Sequence, residues 1–268
     1  MKTMRQQFTP YIEVIGEGDP IVFVHGGWTD GSRWNALATA FAATHTAVVY
    51  DRRGHSRSLW SQPVARRTDE DDLAQLIESL GLGPAHLVGN SYGGSIALGT
   101  AARYPDLVRS VAAHEPPLVR VAESTPSIAA EMDRFNRIAT EVADGIRGSD
   151  VEAAVARFVD DAIFGPGAWS LLPVELKALM VSNASTFVGM LDDPDWAMVP
   201  MLDTSNVPVM LTDGGQSPEW LRLIVGALKA GPYHAAQCVT FVSAGHAPQA
   251  THPEEFAAVV RDFVSAPS

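Results

Sequence analysis

The 268-residue chain is 46% apolar and carries a formal charge of −12 with a single cysteine. That length and composition fit one large globular domain or a domain with a sizeable insertion. The acidity disfavours nucleic acid as a partner, and one cysteine excludes an internal disulfide. The start of the chain lacks the apolar run of a signal peptide, and no stretch is long and apolar enough to span a bilayer. The expectation is a soluble, cytoplasmic protein with no membrane partner.

Short β-rich runs alternate with helical patterns along most of the chain, which predicts a mainly parallel sheet with crossover helices. Residues 10–15 read as an edge strand. Ile21 to Val24 is apolar on both faces and ends at His25-Gly26-Gly27. A helical pattern follows from Ser32 to Thr44, and then a strand, Ala47 to Tyr50, runs into Asp51-Arg52-Arg53-Gly54. Thr68 to Leu80 is helical in period, with Thr68 and Asp71 spaced as a capping box. Its acidic run Asp69-Glu70-Asp71-Asp72 suits a helix N-terminus better than a metal site.

His86 to Gly89 reads as the next strand, a helix follows Ser91, and Val108 to Ala113 forms a further strand ending at His114-Glu115-Pro116-Pro117. Residues 119–205 then break the alternation. They hold helical patterns at Glu131 to Val142 and Val151 to Phe164 and carry no strand signal. Val207 to Leu211 and Cys238 to Val242 read as the last strands, and Pro253 to Phe263 as the closing helix. Cys238, inside an apolar run, is expected to be a buried core residue. The sheet thus reads as two segments, 1–118 and 206–268, with 119–205 as a helical cap inserted between them.

The strongest chemical signal is Gly89-Asn90-Ser91-Tyr92-Gly93. It matches G-x-S-x-G between a strand and a helix, the setting in which a serine is presented on a strained turn with a helix N-terminus behind it. A second signal is His246, just past the last strand, where a general base reaches such a serine. His252 reads as a cap of the last helix, and His45, His55, His86 and His234 as surface or strand-end residues. No His-Glu-x-x-His pattern occurs and no second cysteine is present, so no metal is expected. The glycine-rich turn His25-Gly26-Gly27 offers a backbone N–H, and the N–H of Tyr92 offers another, for an oxyanion hole.

Together, Val24-His25-Gly26-Gly27-Trp28, Tyr50-Asp51-Arg52-Arg53-Gly54-His55-Ser56, Gly89-Asn90-Ser91-Tyr92-Gly93-Gly94 and Gly245-His246-Ala247-Pro248 resemble the α/β-hydrolase superfamily. The likeness is to its branch of small serine esterases, lactonases, C–C hydrolases and cofactor-free haloperoxidases. The resemblance implies the α/β-hydrolase fold, a Ser91–His246 pair and a third, acidic residue. Many members place that acid three residues after a glycine on the penultimate strand, but here that place is Ser217. Some relatives draw it from the strand after the elbow helix, where Glu115 stands. Glu115 is therefore the expected acid and Asp213 the alternative. The implied reaction is cleavage of a small-molecule carboxylic ester or lactone through an acyl-enzyme, without cofactor. A C–C bond hydrolase and a slowly turning-over ligand receptor are the alternatives. A serine at the elbow disfavours haloalkane dehalogenase and epoxide hydrolase chemistry, which uses aspartate there. Trp28, Trp196 and Met198 are the expected pocket residues, with Trp169, Phe187 and Met190 as further apolar candidates.

Overall fold

The computed structural model describes residues 8–122, 126–204 and 206–266. Seven strands form one sheet: β1 (Ile12–Ile15), β2 (Asp19–Val24), β3 (His45–Tyr50), β4 (Ala85–Asn90), β5 (Val108–His114), β6 (Val209–Gly214) and β7 (Gln237–Phe241). Their order is β1-β3-β2-β4-β5-β6-β7. β1 pairs antiparallel with β3, and the other pairings are parallel.

Each central strand feeds two cores, because alternate side chains leave opposite faces of a pleated sheet. Val22, Val24, Leu87, Val111 and Leu211 enter one core, and Ile21, Phe23, Val88, Ala112 and Met210 the other. Helices cover both faces, which is why these strands read as unbroken apolar runs.

The helices are α1 (Asn35–Phe41), α2 (Arg66–Ser79), α3 (Tyr92–Arg103), α4 (Pro126–Arg147), α5 (Val151–Phe158), α6 (Ala168–Leu171), α7 (Val174–Ser182), α8 (Ser185–Asp192), α9 (Glu219–Ala230), α10 (Pro248–Thr251) and α11 (Pro253–Val264). Helices α4 to α8 lie in the connection from β5 to β6. α5 runs on into a π turn, Val159–Ile163, and the Ala162 carbonyl there accepts from Trp220 Nε1 at 2.9 Å.

Two local expectations fail. The capping box at Thr68 does not form. α2 starts at Arg66, and Ala65, its N-cap, makes no side-chain bond. The first helical N–H instead donates to Asp193 Oδ2 at 2.8 Å, so the cap comes from a residue 127 positions away. Cys238 is exposed, not buried. It lies on β7, the outermost strand, where only Phe241 is fully covered.

Candidate active site

Three loops at the C-terminal ends of the strands converge. The first is the turn between β4 and α3. Ser91 has φ 55° and ψ −129°, a strained conformation for a non-glycine residue. Its neighbours must be glycine for a steric reason. A Cβ on Gly89 would meet the Gly93 oxygen at 2.4 Å, and one on Gly93 would meet the Val24 oxygen at 2.2 Å. The sharp turn therefore presses β4, the start of α3 and the end of β2 together. The Ser91 N–H donates to the His114 oxygen at 2.8 Å, which fastens the turn to β5.

The second loop follows β5. Glu115 is fully buried and also holds a positive φ, 45°. Its Oε2 is 2.5 Å from Nδ1 of His246, and its Oε1 accepts the Gly214 N–H at 2.8 Å. Burial alone would raise the Glu115 pKa, but the His114 and His246 imidazoles outweigh it and hold the carboxyl well below its usual range. Glu115 is thus ionised. The arrangement fixes the proton of His246 on Nδ1 and leaves Nε2 as the free ring nitrogen.

The third loop carries His246 itself, after β7. Its backbone oxygen accepts Asn90 Nδ2 at 2.9 Å, so the residue before the serine also positions the histidine backbone. Ser91 Oγ and His246 Nε2 make no hydrogen bond to a described residue. Such contacts tighten when substrate arrives.

Gly26 and Gly27 lie against this centre. A Cβ on Gly26 would come within 3.1 Å of Ser91 Cβ, whereas one on Gly27 would meet nothing within 4 Å. His25 holds this turn. Its Nε2 accepts the Arg52 N–H at 2.9 Å and its Nδ1 donates to the Gly26 oxygen at 2.9 Å. Burial, and then the Arg52 charge, keep His25 neutral by lowering its pKa well below the usual value. Tyr92 is the first residue of α3, and the first N–H groups of a helix have no partner within it.

Residues 21–259 match the sequence profile of the alpha/beta hydrolase family. The chain belongs to the alpha/beta hydrolase family. It is 28% identical over 254 residues to the pimeloyl-[acyl-carrier protein] methyl ester esterase of Neisseria meningitidis serogroup C, covering 91% of this chain and 93% of that protein. It is 35% identical over 114 residues to the uncharacterized hydrolase YraK of Bacillus subtilis, a match that spans 41% of this chain and 42% of YraK. In fold it resembles the enol-lactonase from Burkholderia xenovorans LB400, with TM-score 0.74 and 20% identity over 96% of each chain.

Within this alpha/beta hydrolase, Glu115 and not Asp213 meets the imidazole. Asp213 Oδ2 instead lies 4.0 Å from Arg222 Nε. The His114, Glu115 and His246 ligand atoms lie within 4.8 Å of one another, the spacing of a metal site. The direct 2.5 Å contact leaves no space for an ion between Glu115 Oε2 and His246 Nδ1.

A cavity of about 190 Å³ opens beside the Gly27 turn, lined by Gly27, Trp28, Tyr92, Phe187 and Met190 among others. Trp28 is held at φ 59° with its ring between Phe158 and Phe187. Trp196 and Met198 do not line this cavity. Trp196 leans on Phe135, with ring centroids 6.3 Å apart, and Met198 is exposed. Both were expected there because they are apolar residues in a helical insertion, but the chain beyond α8 turns away to meet α2. Arg66 Nη1 bonds the oxygens of both residues.

One histidine reading needs correcting: His45 and His86 stand at the starts of β3 and β4, but His55 is buried in the loop after β3. His55 Nε2 lies 3.1 Å from Arg52 Nη2, and His86 Nδ1 lies 2.8 Å from Ser110 Oγ. His252 stands at the N-cap of α11 but makes no side-chain cap. The residues that sequence reasoning passed over are Asn90, His114 and Arg52. Their signal was adjacency: each stands beside a motif residue.

Proposed function

We propose that this alpha/beta hydrolase cleaves a carboxylic ester or lactone of a small molecule through an acyl-enzyme. Ser91 attacks the carbonyl. His246 Nε2 takes the serine proton and returns it to the leaving alkoxide. Glu115 orients the imidazole and stabilises its charged form. The N–H groups of Gly27 and Tyr92 receive the oxyanion, where two donors and the N-terminus of α3 favour negative charge. Water then repeats the cycle on the acyl-enzyme. No step calls for a metal or organic cofactor.

The observation that carries this reading is the buried 2.5 Å contact from Glu115 to His246 beside a serine held at φ 55°. A relative named as a methyl ester esterase over nearly the whole chain supports the bond type. The helical connection between β5 and β6, within residues 119–205, is proposed as the cap over the site. Its α8 supplies Phe187 and Met190 to the cavity.

The test is covalent. A fluorophosphonate serine probe labels the native protein and leaves Ser91→Ala unlabelled, and the variant loses on the order of 10⁴-fold or more of ester turnover. Equal labelling of both proteins places the nucleophile elsewhere.

A further inference from the structure

Glu115 does not serve His246 alone. The Nε2 of His114 lies 3.5 Å from the same Oε2 that His246 contacts. The distance is beyond a hydrogen bond, so the contact is electrostatic. The other ring nitrogen of His114, Nδ1, is 2.9 Å from the Thr212 hydroxyl. The ring is enclosed by Phe241 and Phe256, at centroid distances of 6.1 and 6.2 Å. His114 is 1% exposed and Glu115 0%, so water does not compete for either.

The carboxylate decides which nitrogen of His114 carries the proton. A hydroxyl donates or accepts with equal ease. An ionised carboxylate only accepts. A bare Nε2 would aim its lone pair at that anion inside a low-dielectric site, whereas an Nε2–H aims a positive dipole at it. We propose that His114 is a positioning residue: as the neutral Nε2–H tautomer, with Nδ1 accepting from Thr212, it shares the Glu115 carboxylate with His246. It holds Oε2 in place and takes up part of the negative charge that would otherwise stabilise the His246 imidazolium.

Burial lowers the pKa of His114, against the pull of Glu115, and so keeps a single proton on the ring. The ionisable groups that bear on His114 are Glu115 on its own strand, His246 on the loop after β7 and Asp213 on β6. Of these, only Glu115 and His246 contact one another. The backbone adds a second link: the His114 oxygen accepts the Ser91 N–H, so one residue touches the serine turn through its main chain and the acid through its side chain.

The inference rests on the reading of Glu115 and His246 as triad members, but its test needs no turnover. Histidine-selective ¹⁵N NMR on the full chain reports the tautomer of His114 and the titration midpoint of His246. His114 is expected to be protonated on Nε2. In His114→Leu the His246 midpoint rises, by on the order of half a pH unit. In His114→Gln, whose amide nitrogen reaches the Nε2 position, the midpoint returns toward the native value. Where His114→Leu does not fold, His114→Phe keeps an aromatic ring in place, removes both nitrogens and moves the midpoint in the same direction.

A His114 protonated on Nδ1 overturns the proposal. So does an unmoved His246 midpoint in the folded His114→Leu or His114→Phe, including the case in which kcat falls while the midpoint stays. Failure of the enzymatic reading looks different: the native protein shows the tautomer and the shift but cleaves no ester.

Discussion

Two buried polar clusters stand side by side at the C-terminal edge of the sheet, and they are built on opposite plans. Around Arg52 all three guanidinium nitrogens are engaged. They bond the His25 and Gly26 oxygens, Asp69 and His55 at 2.9 to 3.1 Å. Neighbouring Arg53 grips Asp72 with two bonds of 2.6 and 2.7 Å. Around Ser91 the bonding stops one link short. Glu115 is filled and His246 Nδ1 is filled, yet His246 Nε2 and Ser91 Oγ are left for a reactant. Saturated polar networks rigidify a fold, and the open end of a polar chain is where chemistry takes place. The Arg52 cluster holds the Gly26–Gly27 turn rigid, and the Ser91 cluster works against that turn.

The sharpest break in this comparison is expected at Glu115. Glu115→Gln lowers kcat by about 10² to 10⁴-fold through a misplaced or wrongly protonated imidazole, because the residue acts on the open end of the chain. Asp213→Asn, which touches neither Ser91 nor His246, changes kcat far less. Steady-state kinetics on one ester, with circular dichroism on both variants, decides. A folded Glu115→Gln enzyme of native rate beside a crippled Asp213→Asn enzyme reverses the assignment.

The Arg52 cluster is expected to respond in stability instead. Arg52→Met strands the buried Asp69 carboxyl and two backbone oxygens, a loss of about 3–5 kcal/mol by urea denaturation. Burial already pushes Asp69 up to about 7 in the native protein, so the stranded group takes a proton and the loss falls at the lower end. The kcat of the folded fraction changes by less than about tenfold. A variant with native stability and abolished turnover erases the distinction between the clusters.

The same cluster sets an acid limit. Burial, then the charge of Arg52, lowers the pKa of both His25 and His55 well below 6.5, so both stay neutral in the fold. The unfolded chain protonates them near 6.5 and the folded chain does not. The unfolded state therefore binds more protons below that pH, and stability falls as pH drops from about 6.5, by about 1.4 kcal/mol per pH unit for each histidine. His55→Gln is expected to flatten that slope by one histidine's share in urea titrations between pH 6.5 and 5. An unchanged slope assigns the acid loss to other groups.

How much of this was legible beforehand follows the range of each interaction. The serine turn, the His246 loop and the Gly26–Gly27 turn are written locally, since a Cβ at positions 93 and 89 would fall 2.2 and 2.4 Å from backbone oxygens and only glycine fits there. The strands were legible because burial on both faces leaves an unbroken apolar run. Asp193 capping α2, and Arg66 holding the oxygens of Trp196 and Met198, join residues 127 to 132 positions apart, and no local pattern encodes them. Cys238 was misread because an apolar run does not tell a central strand from an edge strand. His55 was misread for a related reason: a histidine in a polar loop looks exposed until the loop is folded around a buried arginine.

The smallest expected effects separate Gly27, at the cavity, from Met198, in the segment after α8. Gly27 faces open space beside the cavity, and its φ is not in the left-handed region, so Gly27→Ala strains nothing and meets no neighbour within 4 Å. Stability is expected to stay within about 0.5 kcal/mol of native. The added methyl enters the cavity, so esters with bulky acyl groups lose about tenfold relative to an activated acetate. Met198 is exposed and outside the cavity, so Met198→Ala leaves both stability and the ratio of rates near native, within about twofold. Competition between a short and a bulky ester for each variant measures the ratio directly. A Met198→Ala enzyme with altered preference, beside a Gly27→Ala enzyme with none, moves the substrate from the cavity at α8 to the segment after it.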